Sequence, residues 1–160
     1  KRMALTAIVT GENNELAFSY AKREHLSAVY YKMANKEKAL MHFCNQHGIS
    51  PTEVLFVFDD VLDLSAAKYA GIKMMVGRSS NPLLIEYAVQ NRMVDYVTAN
   101  DGSNYAIREV CELLMALSNN YNSVIENRIK FSDIYSAYLN ERNQGTTSLF
   151  TSAQNEIIAG

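Results

Sequence analysis

Apolar and polar positions along this chain follow two periods. Short, mostly apolar runs occupy residues 4–10, 27–31, 54–58, 72–76 and 94–98. Runs of this length, bounded by polar residues, read as strands of a parallel sheet. Between them, apolar residues recur three or four positions apart, the spacing of one helix face. Leu16, Ala17, Tyr20 and Ala21 mark such a face over residues 14–25, after a Gly11-Glu12-Asn13 turn. Ala39, Leu40, Phe43 and Cys44 mark another over 36–47, and Gly48 supplies the stop. A short helix is predicted over 62–70, closed by Gly71. A further one runs over 81–91, with Pro82 at its favoured first turn, and another over 104–117. Strands alternating with helices through short connections predict an α/β fold, a Rossmann-like three-layer core with a mainly parallel sheet of about five strands.

The last third departs from this alternation. Val124, Ile125, Ile129, Ile134, Tyr135, Tyr138 and Leu139 lie broadly on one side of a single long helical pattern over 121–142. From Gln144 the chain turns polar and small, then ends in two apolar pairs, Leu149-Phe150 and Ile157-Ile158. A frayed terminus or a segment docked on a partner is the expectation there. The predicted division is an α/β core over 1–118, a helical extension over 119–143 and a tail over 144–160.

Composition narrows the function classes. Apolar residues make up 48% and charged residues 20% of 160, an ordinary globular balance. The net charge is −2 and basic residues are scattered, which gives no footing for a nucleic-acid partner. No apolar stretch approaches the roughly 20 residues of a membrane span, and no signal-peptide pattern opens the chain. The expectation is a cytoplasmic protein with Cys44 and Cys111 as buried, reduced thiols. The opening Lys1-Arg2-Met3 reads either as a tag remnant before a late start or as the edge of a longer chain.

The candidate chemistry sits where strands end. Ligands of open α/β sheets bind beyond the carboxyl ends of the strands. Thr10 and Gly11 end the first strand, Lys36 opens the helix after the second, and Asp59, Asp60 and Asp63 follow Phe58. Carboxylates suit Mg²⁺, an ammonium neutralises phosphate, and a hydroxyl with a nearby N–H grips phosphate oxygens. Each also has a plainer reading: a strand-end threonine, a solvated lysine, and aspartates that cap a helix. The order Thr, Lys, Asp-Asp over three successive strand ends favours a phosphoryl-transfer site.

At these residues the chain resembles the haloacid dehalogenase superfamily of Mg²⁺-dependent phosphatases. It is most similar to the small capless branch of 3-deoxy-D-manno-octulosonate 8-phosphate phosphatases. The motifs that carry the resemblance are Ile8-Val9-Thr10-Gly11, Asn35-Lys36, Asp59-Asp60-Val61-Leu62-Asp63, Ala70-Gly71-Ile72, Asp95-Tyr96-Val97-Thr98 and the helix from Arg108 to Leu114. The resemblance implies a phosphomonoesterase of a sugar-acid phosphate, Mg²⁺ held by Asp59, Asp60 and Asp63, and phosphate held by Thr10, Gly11 and Lys36, with Thr10 and Lys36 catalytic. It also implies a homo-oligomer, a tetramer in relatives. Three departures stand out. The family's nucleophile is the first Asp of an Asp-x-Asp motif, and no Asp-x-Asp occurs anywhere in this chain. The family's first strand is correspondingly expected to be missing. Phe58 replaces a glycine before the first aspartate, where its ring is expected to crowd the site, and Glu12 places negative charge beside the Thr-Gly motif. The alternative reading is a non-catalytic domain of the same fold, serving assembly or regulation. A receiver-like signalling domain shares the architecture, but its motif order does not fit.

Overall fold

The computed structural model describes residues 3–153 and 156–160; Lys1 and Arg2, the opening pair read above, lie outside them. In chain order the elements are β1 (Ala7–Val9), α1 (Glu15–Glu24), β2 (Ala28–Tyr31), α2 (Lys36–His47), β3 (Leu55–Phe58), α3 (Leu64–Ala67), β4 (Ile72–Met75), α4 (Pro82–Gln90), β5 (Tyr96–Val97), α5 (Ala106–Leu117), α6 (Tyr121–Ile129), α7 (Asp133–Asn143), β6 (Ser148–Ala153) and β7 (Glu156–Ala159). Single 3₁₀ turns at Pro51–Glu53 and Val61–Asp63 flank β3. The architecture is the expected α/β one with mainly parallel strands. No helix among the described residues is long and apolar enough to cross a membrane.

The chain divides into two compact units, residues 1–34 with 122–160, and residues 35–121. In the first, the strand order is β1-β2-β6-β7. β1, β2 and β6 run parallel, with Ala7 opposite Ala28 and Val29 opposite Leu149, and β7 returns antiparallel to β6. Residues 148–153 and 156–159, expected to fray or to dock on a partner, are instead the far half of a sheet. The apolar pairs explain this: Phe150 stacks on the buried Tyr30 at 5.0 Å. Just before β6, the Thr147 hydroxyl donates to the Leu26 carbonyl at 2.7 Å.

The single helix expected over 121–142 is two helices. Phe131 takes a left-handed conformation, with φ of 46°. Ser132 then caps α7, its hydroxyl oxygen accepting from the Tyr135 N–H. A serine in the extended conformation at this position satisfies an N–H group that the helix start leaves open.

In the second unit β3, β4 and β5 form a parallel sheet, with Phe58 opposite Met75 and Met74 opposite Tyr96. Phe58, Leu64, Ala67, Met75 and Ala88 make one core cluster; Leu40, Cys44 and Ala66 make another. Both cysteines are free thiols, but only Cys44 is buried. Cys111 is exposed because α5 turns Ala106 and Val110 inward, and residue 111 falls off that face.

Candidate functional site

Thr10 and Gly11 belong to the first unit. Thr10 follows β1 and is fixed by its backbone: its N–H donates to Tyr30 O at 2.8 Å and its carbonyl accepts from Met33 N–H at 3.0 Å. The hydroxyl oxygen accepts from the Glu12 N–H at 3.3 Å, a local turn that holds the side chain at the strand end. Gly11 is exposed and open space surrounds it. Glu12, whose carbonyl accepts from Lys32 N–H, is exposed beside them.

The other four candidates lie in the second unit, and the structure brings them together around one turn. Asn35 caps α2 through Lys38 N–H, which places Lys36 as the first helical residue. Its ammonium pairs with Asp63 Oδ1 at 3.5 Å, and the two side chains are only 11% and 12% exposed. Asp63 Oδ2 accepts from the backbone N–H groups of Asp60 at 3.3 Å and Asp59 at 3.5 Å. Asp60 accepts from Leu62 N–H at 3.2 Å, which completes a reciprocal capping box over the 3₁₀ turn. A buried carboxylate thus organises the segment that follows β3.

Asp59 stands apart from this box, since its carboxylate is not used within it. Its side chain is 36% exposed and ion-pairs with the Arg78 guanidinium. Among the described residues no three acidic, histidine or cysteine side chains are grouped as a metal site. Asp59 is a hard oxygen donor just past the end of β3, a ligand type that suits Mg²⁺. Asp63 spends both oxygens on the turn and on Lys36, and Asp60 spends Oδ1 on the Leu62 N–H.

Phe58 does not crowd these carboxylates. Its ring is 3% exposed and packs in the core with Leu64, Met75 and Ala88. Successive residues of a strand point to opposite sides, so an apolar residue there faces inward.

Sequence reasoning gave no role to Arg78, Thr98 or Glu109. Arg78 lies three residues beyond the end of β4, the strand paired in parallel with β3, which is the signal that could have found it. The root of that side chain is fixed. Gly77 N–H donates to the Thr98 hydroxyl oxygen at 2.9 Å, and that hydroxyl donates to Asn100 O at 2.6 Å. A Cβ on Gly77 would collide with the Thr98 carbonyl oxygen, so only glycine permits this approach. Glu109 anchors the same loop. Its carboxylate accepts from the Tyr96 hydroxyl at 2.6 Å, from Ala99 and Asn100 N–H, and from the Asn100 amide. These donors, the Tyr96 hydroxyl foremost, hold its pKa down to about 2.

Mainly parallel strands whose ends carry threonine, lysine and aspartate are the arrangement expected of a haloacid dehalogenase-type domain. No family model matches the chain. It is 33% identical over 119 residues to the 3-deoxy-D-manno-octulosonate 8-phosphate phosphatase of Escherichia coli K12, covering 71% of this chain and 60% of that protein. Its fold matches the crystal structure of the Moraxella catarrhalis 3-deoxy-D-manno-octulosonate 8-phosphate phosphatase, in complex with magnesium, phosphate and the sugar acid. The TM-score is 0.66 at 29% identity, covering 77% of this chain and 67% of that one. The cobalt-bound Haemophilus influenzae phosphatase, at 19% identity and TM-score 0.64, shares the fold over 73% of this chain and 62% of its own. The chain is similar to the 3-deoxy-D-manno-octulosonate 8-phosphate phosphatases of the haloacid dehalogenase superfamily. It spans about 60% of the length of the curated relatives it matches.

Proposed function

We propose that this chain supplies the phosphate-gripping and charge-bearing part of a phosphomonoesterase acting on a sugar-acid phosphate, in the cytoplasm and as a homo-oligomer. The observation that carries this is the Lys36–Asp63 pair, which draws a cation and three aspartates from two separate strand ends into one turn. In this reading Thr10 and the Gly11 N–H bind the phosphoryl oxygens. Lys36 balances the negative charge of nucleophile and phosphate, and charge placed in advance lowers the cost of building it in the transition state. Asp59 holds Mg²⁺, with Asp60 and Asp63 fixing the backbone from which it projects. The ion, when bound, supplies Lewis-acid polarisation of a phosphoryl oxygen.

The nucleophile comes from a segment outside these 160 residues, since the family's reaction needs an Asp-x-Asp that they do not contain. The position of β3 supports this. Leu55-Phe56-Val57-Phe58 is apolar on both faces and lies at the edge of its sheet, where natural proteins avoid such strands. The test is hydrolysis of 3-deoxy-D-manno-octulosonate 8-phosphate by the chain alone and by the chain co-expressed with its relatives' nucleophile-bearing strand. The expected result is no turnover alone, and turnover in the complex that falls at least ~100-fold in Lys36→Met. A soluble complex without turnover overturns the reading. The Arg78–Asp59 pair favours a second one, a non-catalytic domain of the same fold, because it neutralises the exposed carboxylate within the chain itself.

A further inference from the structure

We propose that Arg78 is a guanidinium latch on Asp59, and that it competes with a divalent cation for that carboxylate. The inference deepens the reading of Asp59 as a cation ligand and rests on it. The two ends of the latch differ in reach, a short carboxylate against a long, more exposed guanidinium. Asp59 directly precedes the cap of the 3₁₀ turn, and its N–H donates to the buried Asp63 carboxylate at 3.5 Å.

Arg78 is rooted equally firmly at its backbone. Gly77 before it is bonded to the Thr98 hydroxyl, which is buried, and the Arg78 carbonyl accepts from Asn81 N–H at 3.3 Å. The rest of the side chain reaches solvent: 48% of it is exposed, and among the described residues it pairs with the Asp59 carboxylate. A long side chain with a fixed root and an exposed head changes state by rotamer, leaving the fold untouched. With the guanidinium on Asp59, the carboxylate is already charge-balanced and one of its oxygens is taken. A cation approaching it meets a like charge at contact distance. A unit charge about 5 Å from a divalent ion in near-aqueous surroundings shifts its affinity on the order of tenfold. Because the pair is half exposed, salt screening trims the effect without removing it.

The latch makes a distinct prediction for the Arg78→Lys variant. Arginine presents a planar fork of donors, whereas an ammonium is a compact, strongly hydrated point charge. The lysine side chain would repel a cation similarly but hold the carboxylate oxygen less firmly.

The experiment is a Mg²⁺ titration of the full ¹⁵N-labelled chain, following the backbone amides of residues 59 and 78. It compares the unmodified chain with Arg78→Ala, Arg78→Lys, Asp59→Asn and the Arg78→Ala/Asp59→Asn double variant. The expected result is a half-saturating Mg²⁺ concentration about tenfold lower in Arg78→Ala. Arg78→Lys falls between the two, and the response disappears in both chains carrying Asp59→Asn. Equal half-saturating concentrations in the unmodified chain and Arg78→Ala, with Asp59→Asn still abolishing the response, overturn the latch while leaving Asp59 as a cation ligand. A chain with no Asp59-dependent response in any background overturns the ligand reading and the latch with it.

Discussion

Replacing Lys36 by methionine isolates the pair on which the candidate site is built. Methionine keeps most of the stem's length and volume and removes only the charge. At 3.5 Å the attraction to Asp63 is about 4–5 kcal/mol at an effective dielectric near 20. Part of this is returned, because the variant no longer desolvates an ammonium and Asp63 keeps its two backbone N–H donors. What remains is a nearly buried carboxylate without its cation, and the net cost is about 2–3 kcal/mol, somewhat below the range for a fully buried pair. For a chain of this length that lowers Tm by roughly 5–10 °C. The assay is urea unfolding followed by far-ultraviolet circular dichroism, on Lys36→Met, Asp63→Asn and the double variant. The cost of the double variant should fall short of the sum of the singles by about 1.5 kcal/mol or more, the signature of a direct pair. Additive costs, or a Lys36→Met cost under about 0.5 kcal/mol, would refute the view that the pair organises this turn.

Glu109 carries an acid-stability signature. Its folded-state pKa of about 2 lies below the ordinary 4.5, so its stabilisation is complete above the ordinary value and is lost as pH falls from there towards 2. Glu109→Gln should be less stable at neutral pH and should lack that component of the acid fall-off; parallel stability–pH curves over this window would count against the assignment. Gly77→Ala pushes a methyl group into the Thr98 carbonyl and should cost about 1–3 kcal/mol in the same urea assay, whereas Gly102→Ala, in open space, should cost far less.

The parallel elements were legible because their signals are local and mutually consistent. The apolar run before Asp59, the asparagine cap ahead of Lys36 and Gly48 with φ of 64° all state their structure within a few residues. The break at Phe131 was not legible for a physical reason. The apolar period continues on both sides of it, and the one competing signal, Ser132, is a cap residue only if the helix is already known to restart. The final strands were hidden differently. Their apolar pairs need β2 as a template, and pairing residue 28 with residue 148 is a contact no local pattern announces. Phe58 was misjudged by treating a neighbour in sequence as a neighbour in space. Adjacent strand residues face opposite ways, so the position that looked most obstructive is a core position.

The three aspartates look equivalent in the sequence and do three different things in the structure. Asp63 divides its two oxygens between Lys36 and the backbone of residues 59 and 60, so its effect on any ligand is exerted through the position of Asp59. Asp60 spends its carboxylate on Leu62 N–H and closes the turn. Asp59 takes no part in the box, and there the chain supplies its own counter-charge in Arg78. Loss of Asp63 should therefore disturb stability and cation response together, whereas loss of Asp59 should remove the cation response at little cost to the fold. On the proposed reading, the nearly buried Lys36–Asp63 pair preorganises the site and the Asp59–Arg78 pair switches it. On that reading the Lys36–Asp63 pair serves a catalytic and a non-catalytic relative equally well, and what separates them is a nucleophile from outside these residues together with a guanidinium on Asp59 that gives way to a cation.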